Sequence, residues 1–108
     1  MENYLDAIRD RRSTKRFFPN APVSVYGYGA TDDPFHERTV ALSVNAGGGL
    51  STLTTAVNPG QTLLLINEVN LKEEKCTVIR QVSTDLNRTG IVVKFPQPVP
   101  DFWDTTRP

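Results

Sequence analysis

A cluster of arginines near the start of the chain is the strongest candidate for binding chemistry. In the segment RRSTKRFF, residues 11–18, Arg12 and Arg16 are separated by three residues, and five of the eight residues from Arg9 to Arg16 are basic. A guanidinium group pairs with phosphate oxygens, makes a bidentate contact to guanine, and stacks on the base. Two arginines at this spacing could clamp a ligand that carries both guanine and phosphate, although composition alone favours the alternative. The alternative is a basic helix end that complements the helix dipole.

A glycine-rich stretch, NAGGGL at residues 45–50, is the second candidate. It lacks the Gly-Lys-Ser/Thr ending of a triphosphate-binding loop, and it leads into the strand-like STLTT instead of a helix. Three successive glycines exceed what a tight turn needs, and glycine lets another molecule approach the backbone closely. Alternation along the preceding strand predicts Ser43 and Asn45 on one face, with Leu42 and Val44 turned inward.

Catalytic and metal-binding patterns are absent from the sequence. His36, the one histidine, stands in DDPFHER and is interpreted as a loop residue in solvent. Cys76 lies mid-strand with no base nearby, so we expect a small core residue. No cluster of His, Cys, Asp and Glu has metal-ligand spacing. We therefore predict a protein that is not an enzyme, with no metal and no cofactor.

Composition limits the partners and the compartment. The 108 residues carry 12 basic and 12 acidic side chains, a balance that argues against binding a nucleic-acid polymer. One cysteine cannot form an internal disulfide, which favours a reducing, cytoplasmic location. No apolar run approaches the roughly 18 to 20 residues of a membrane span. The charged first ten residues do not resemble a secretory signal.

The elements that must position these residues are mostly strands. Residues 1–10 have helical spacing, and residues 11–103 then contain six short stretches rich in β-branched and apolar residues, separated by turn signals. Short connections leave no room for the crossovers of parallel strands, so we predict an all-β, six-stranded antiparallel barrel after a short N-terminal helix. Phe102 and Trp103 are expected to cover an open barrel end, and residues 104–108 to be loose.

These features together resemble the PilZ domain family, over roughly residues 11–103. The family's first motif, R-x-x-x-R, matches at Arg12 and Arg16. Its second motif is Asp or Asn, any residue, Ser, two residues and Gly. The best register here is Ser43-Val44-Asn45-Ala46-Gly47-Gly48, which keeps the glycine at Gly48 and replaces the first two polar positions with Ser43 and Asn45.

The resemblance implies a bacterial signalling module that binds cyclic di-GMP. Its ligand contacts would be Arg12, Arg16, Ser43, Asn45 and Gly48, with the arginines closing over a ligand on the strand and turn. The alternative is a degenerate PilZ adaptor that binds no nucleotide and acts through a protein partner in motility or secretion.

Overall fold

The computed structural model describes residues 20–84 and 88–104, and this part of the chain contains six β-strands. They are β1 (Ala21–Tyr28), β2 (Pro34–Asn45), β3 (Gly48–Leu53), β4 (Thr62–Asn67), β5 (Glu73–Val82) and β6 (Thr89–Lys94). Each coincides with one of the six stretches predicted from β-branched and apolar residues. The predicted helical segment 1–10, the arginines Arg12 and Arg16, and the tail residues 105–108 lie outside the described residues.

The strands close into a barrel in the order β1-β2-β3-β6-β5-β4, and every neighbouring pair is antiparallel. Closure comes from two long-range pairings, β1 with β4 and β3 with β6. A closed barrel leaves no unpaired edge along the paired lengths of its strands. The all-β, antiparallel barrel predicted from the strand pattern is therefore confirmed.

The barrel interior is filled by alternate residues of the strands. Val23 and Val25 of β1 and Leu63 and Leu65 of β4 are buried, as the two-residue period requires. Cys76 of β5 belongs to the same core, and burial raises the pKa of its thiol to about 12 despite a backbone hydrogen bond that acts in the opposite direction. The thiolate, which is the reactive form, is therefore suppressed, and the predicted core role of Cys76 is confirmed.

Strand β2 is longer than its sequence pattern predicts. It begins at Pro34, so His36 lies on a strand that pairs with β1, and the loop assigned to it was wrong. His36 is exposed and stacks on Tyr26, with the ring centroids 4.2 Å apart and the planes 5° from parallel. This cross-strand contact, together with main-chain pairing, accounts for a strand in a segment with few β-branched residues.

Because of a β-bulge in β2, the predicted inward orientation is confirmed for Val44 and wrong for Leu42. The register against β3 shifts between Ala41 and Ser43. Ala41 and Val44 are buried, whereas Leu42 at the shift is only half-buried. An extra residue changes which side chains face inward, so strict alternation fails at this point while Ser43 and Asn45 remain on the outer face.

Glu37 binds the loops together at one end of the barrel. Its carboxylate accepts hydrogen bonds from the backbone nitrogens of Thr54 at 2.7 Å and Thr55 at 3.1 Å, and from the Thr55 hydroxyl at 3.0 Å. Arg88 completes the cluster with an ion pair of 2.8 Å. One side chain from β2 thus holds the segment after β3 and the start of β6.

Glu37→Gln is expected to remove part of the acid sensitivity of folding. Burial raises the pKa of Glu37, but the hydrogen bonds from Thr54 and Thr55 together lower it by more, so the folded pKa lies below its ordinary value of 4.5. A lowered carboxyl pKa gives stability that is present above the unfolded value and is lost as pH falls through the folded one. Urea midpoints should therefore fall more in the parent than in the variant between neutral pH and pH values below 4.5. An equal fall in both proteins would contradict this assignment.

The C-terminal aromatic residues close the opposite end. Phe102 is fully buried and Trp103 is 7% exposed. They pack on Phe95 in an aromatic cluster whose ring centroids are 4.7 to 6.3 Å apart. Edge-to-face pairs at these distances add to the free energy of apolar burial. The prediction that Phe102 and Trp103 cover a barrel end is confirmed.

Two buried asparagines hold this tail. Asn67 and Asn70 both donate from Nδ2 to the carbonyl of Phe102, at 2.8 and 3.1 Å, and to the carbonyl of Asp104, at 3.4 and 2.8 Å. Their side-chain oxygens accept from Val69 and Lys72 and so shape the turn between β4 and β5. The same two residues build the turn and fasten the tail to it.

Candidate functional site: an outer groove across four strands

An open groove lies on the outer face of the barrel where β2, β3, β6 and β5 run side by side. Its volume is about 420 Å³, within the range of roughly 300 to 1,000 Å³ typical of small-molecule sites. The lining residues are Ser43, Asn45, Gly47–Leu50, Ile79, Arg80 and Val92–Lys94. The strand order places residues 43–50 beside residues 79–80 and 92–94, so no single segment of the sequence contains the whole groove lining.

One row of paired residues crosses the groove at the glycine turn. Asn45 of β2 pairs with Gly48 of β3, which pairs with Lys94 of β6. Gly48 has no side chain, so the backbone itself forms the floor between the amide of Asn45 and the ammonium of Lys94. Adjacent strands are about 4.8 Å apart, so the backbones of Asn45 and Lys94 are separated by roughly 10 Å along the curved sheet.

A second row runs parallel to the first. Ser43 pairs with Leu50, Leu50 with Val92, and Val92 with Arg80 of β5. The middle of this row is apolar and half-buried, and its two ends are polar. The groove therefore offers an apolar centre between hydrogen-bonding groups on β2 and a cation on β5.

Gly48 is required by the packing of β3 against β6. A Cβ atom at this position would lie 2.0 Å from the carbonyl oxygen of Val93, and the φ angle is +153°. The carbonyl of Gly48 also accepts a hydrogen bond of 3.1 Å from Nε1 of Trp103. The glycine that matches the second PilZ motif thus has a structural role, and it also keeps the groove floor low.

The side-chain oxygen of Asn45 stabilises the glycine turn, while its amide nitrogen does not take part. Its Oδ1 accepts a hydrogen bond of 2.7 Å from the backbone nitrogen of Gly47, an Asx turn. Within the part of the chain that the structure describes, Nδ2 of Asn45 and the Ser43 hydroxyl have no hydrogen-bond partner. An amide donor and a hydroxyl are therefore left to a ligand at this wall of the groove.

Charge in the groove is one-sided. Arg80 and Lys94 are exposed, and none of the described residues that line the groove is a carboxylate. Neither cation forms an ion pair with any residue in 20–84 or 88–104. In a chain with equal numbers of acidic and basic residues, this is a local excess of positive charge that favours an anionic ligand.

The structure brings three of the five sequence-predicted site residues together. Ser43, Asn45 and Gly48 line one groove, while Arg12 and Arg16 lie outside the described residues. Sequence reasoning missed Arg80 and Lys94, because their place beside Ser43 and Asn45 depends on the pairing of β3 with β6 and of β6 with β5. The signal available was an unexplained cation near the end of each of the last two predicted strands.

Two further side chains that could do chemistry, His36 and Cys76, lie apart from the groove. His36 stacks on Tyr26 away from the groove lining, and Cys76 is in the core. Among residues 20–84 and 88–104, no group of three or more His, Cys, Asp or Glu side chains could hold a metal ion. None of the described residues belongs to a helix with the length and apolar character that a membrane span requires.

Comparison with known proteins gives a likeness of fold. No protein-family model and no curated protein matches the chain. Among solved structures, it is similar to the Bacillus subtilis inhibitor of motility, MotI/DgrA, with a TM-score of 0.61 over 83% of this chain and 17% sequence identity. The match spans 44% of that protein's length. At this identity the likeness is one of architecture, a barrel of the same kind.

Proposed function

We propose that this protein is a PilZ-like regulatory module that binds cyclic di-GMP in the outer groove. The observation that carries the proposal is the convergence of Ser43, Asn45 and Gly48 with two cations, Arg80 and Lys94, on one groove. Among the described residues these cations have no ion-pair partner, and no carboxylate lines the groove. Cyclic di-GMP combines two phosphates with two guanines, so it needs cations, hydrogen-bond donors and a flat apolar surface. The likeness to an inhibitor of motility supports a regulatory barrel fold of this type.

Chain length allows the arginine motif to reach this groove. Strand β2 continues through Leu42–Asn45 past the start of β1, because Ala21 pairs with Ala41. Arg16 precedes Ala21 by five residues and Arg12 by nine, and an extended chain covers about 3.3 to 3.6 Å per residue. Both guanidinium groups are thus within reach of a ligand that lies beside Ser43.

Each group in the proposed site has a distinct task. Arg12 and Arg16 pair with phosphate oxygens and with guanine, as guanidinium geometry allows. Ser43 and the Asn45 amide hydrogen-bond the ligand from β2, and the low floor at Gly48 permits close approach. Closure of the arginine motif over the ligand changes the course of the chain before β1, which is how a module without catalytic groups transmits a signal.

Calorimetric titration with cyclic di-GMP tests the proposal. We expect saturable binding by the parent protein and loss of at least about tenfold in affinity in Arg12→Ala and in Arg16→Ala, since each removes a charge-assisted hydrogen-bond donor. Arg38→Ala is the matched control, because its side chain is 73% exposed on the outer face and outside the groove lining. Absence of heat from folded parent protein at high micromolar ligand would overturn the proposal.

A protein-binding adaptor is the second candidate, and the opposite outer face favours it. Tyr26 and Tyr28 are among the exposed large apolar side chains, and Tyr26 pairs with His36 on one side and with Leu64 on the other. Exposed aromatic residues are enriched in protein interfaces. Failure of the folded parent to bind nucleotide, together with tight binding of a protein partner that is lost in Tyr26→Ser, would select this function.

A further inference from the structure

We infer that Arg80 and Lys94 form a second anion subsite, on the groove wall opposite Ser43 and Asn45, and that this subsite holds a phosphate of the bound ligand. The inference rests on the proposed nucleotide function and deepens it. It assigns binding residues that belong to neither of the two sequence motifs, and it makes the ligand span four strands.

The position of Arg80 depends on a second β-bulge. Val78 of β5 is buried and faces inward, so strict alternation would turn residue 80 inward as well. The register against β6 shifts between Val78 and Arg80, and Ile79 and Arg80 are both exposed. A bulge re-aims a side chain in this way, and here it delivers a guanidinium group to the groove instead of the core.

Arg80 and Lys94 are close enough to share one anion. Arg80 pairs with Val92, and Lys94 follows two residues later on the same face of β6. Diagonal neighbours of this kind are about 7 to 8 Å apart at their bases, a gap that two long side chains can close around a phosphate. The planar guanidinium of Arg80 and the compact ammonium of Lys94 are both groups that bind phosphate oxygens.

Arg80 and Lys94 are separated from Ser43 and Asn45 by the width of the groove. Three strand spacings of about 4.8 Å separate Ser43 from Arg80 by roughly 14 Å along the curved sheet, and the glycine floor and Val92 lie between them. A ligand that reaches both walls places a phosphate against Arg80 and Lys94 and hydrogen-bonding groups against Ser43 and Asn45. The geometry therefore favours a ligand wide enough to bridge β2 and β5, and a cyclic dinucleotide meets this requirement with one of its two phosphates at Arg80 and Lys94.

Titration of Arg80→Gln, Lys94→Gln and the double variant with cyclic di-GMP tests the subsite. We expect about a tenfold loss of affinity for each single variant and a larger loss for the double variant. Lys75→Gln is the matched control, an exposed lysine on β5 outside the groove lining. Parent-like affinity in the double variant would overturn this inference while leaving the proposed function intact.

A second probe keeps the test decisive if the parent does not bind cyclic di-GMP. Inorganic pyrophosphate is titrated into the labelled protein while backbone amide signals are followed by NMR. Shifts confined to residues 79–81 and 92–94, and abolished in Arg80→Gln/Lys94→Gln, support an anion subsite for another ligand even though the cyclic di-GMP proposal has failed. No shift in these residues at millimolar pyrophosphate overturns the subsite as well.

Discussion

Replacing Phe102 with alanine is expected to lower the free energy of unfolding by about 3 to 5 kcal/mol, the usual cost of truncating a fully buried aromatic side chain. Phe102 has no exposed surface, and it contacts both Phe95 and Trp103 edge to face. The variant would leave a cavity at the end of the barrel and remove the core of the aromatic cluster. A barrel of this size has a total stability of about 5 to 15 kcal/mol, so the loss should be plain in urea unfolding followed by circular dichroism.

Tyr28→Ala is the matched control for Phe102. Tyr28 is also an aromatic residue, but it is 57% exposed on the outer face of β1. Its truncation should cost less than about 1 kcal/mol. If the two variants unfold at similar urea concentrations, the tail does not seal the barrel and the aromatic cluster contributes little to its stability.

Gly48→Ala is expected to destabilise the protein by about 3 kcal/mol or more, because overpacking and an unfavourable φ angle add at one residue. The new Cβ would stand 2.0 Å from the Val93 carbonyl oxygen, and that neighbour is backbone, which cannot rotate away. Relief requires β3 to separate from β6 at this point, and the separation would also disturb the hydrogen bond from Trp103. Urea unfolding measures the loss.

Gly47→Ala separates this effect from a general intolerance of the turn. A Cβ at Gly47 would approach only Oδ1 of Asn45, at 3.3 Å, and that atom belongs to a side chain that can adjust. We expect a change within about 1 kcal/mol. Equal destabilisation by the two substitutions would mean that turn conformation, and not the approach of β6, sets the requirement for glycine at position 48.

The fold could be predicted from the sequence because its signals are local. Alternating apolar residues predict strands, as with Val23 and Val25 or Leu63 and Leu65. The turns between these stretches are too short for the crossover connections that parallel strands need. The first half of β2 escaped prediction because it carries polar side chains. Glu37 is acceptable there only because Thr54, Thr55 and Arg88 satisfy it, and those partners are distant in sequence.

The site was predictable only in part, for a related reason. Ser43, Asn45 and Gly48 occur in one short stretch, so a motif could find them. Arg80 and Lys94 reach the same groove through strand order and through a bulge that shifts the phase of β5. The alternation of apolar and polar residues in the sequence does not reveal the order of the strands in the barrel or the position of a β-bulge.

The position of Trp103, the one tryptophan of the chain, makes its fluorescence a suitable probe of the groove. The indole of Trp103 is bonded to the carbonyl of Gly48 and lies directly under Gly49, where an added Cβ would meet its ring at 3.2 Å. The opposite side of those two glycines is the floor of the groove. We therefore expect occupation of the groove to change the surroundings of the indole, so that the tryptophan emission of the unlabelled protein reports binding.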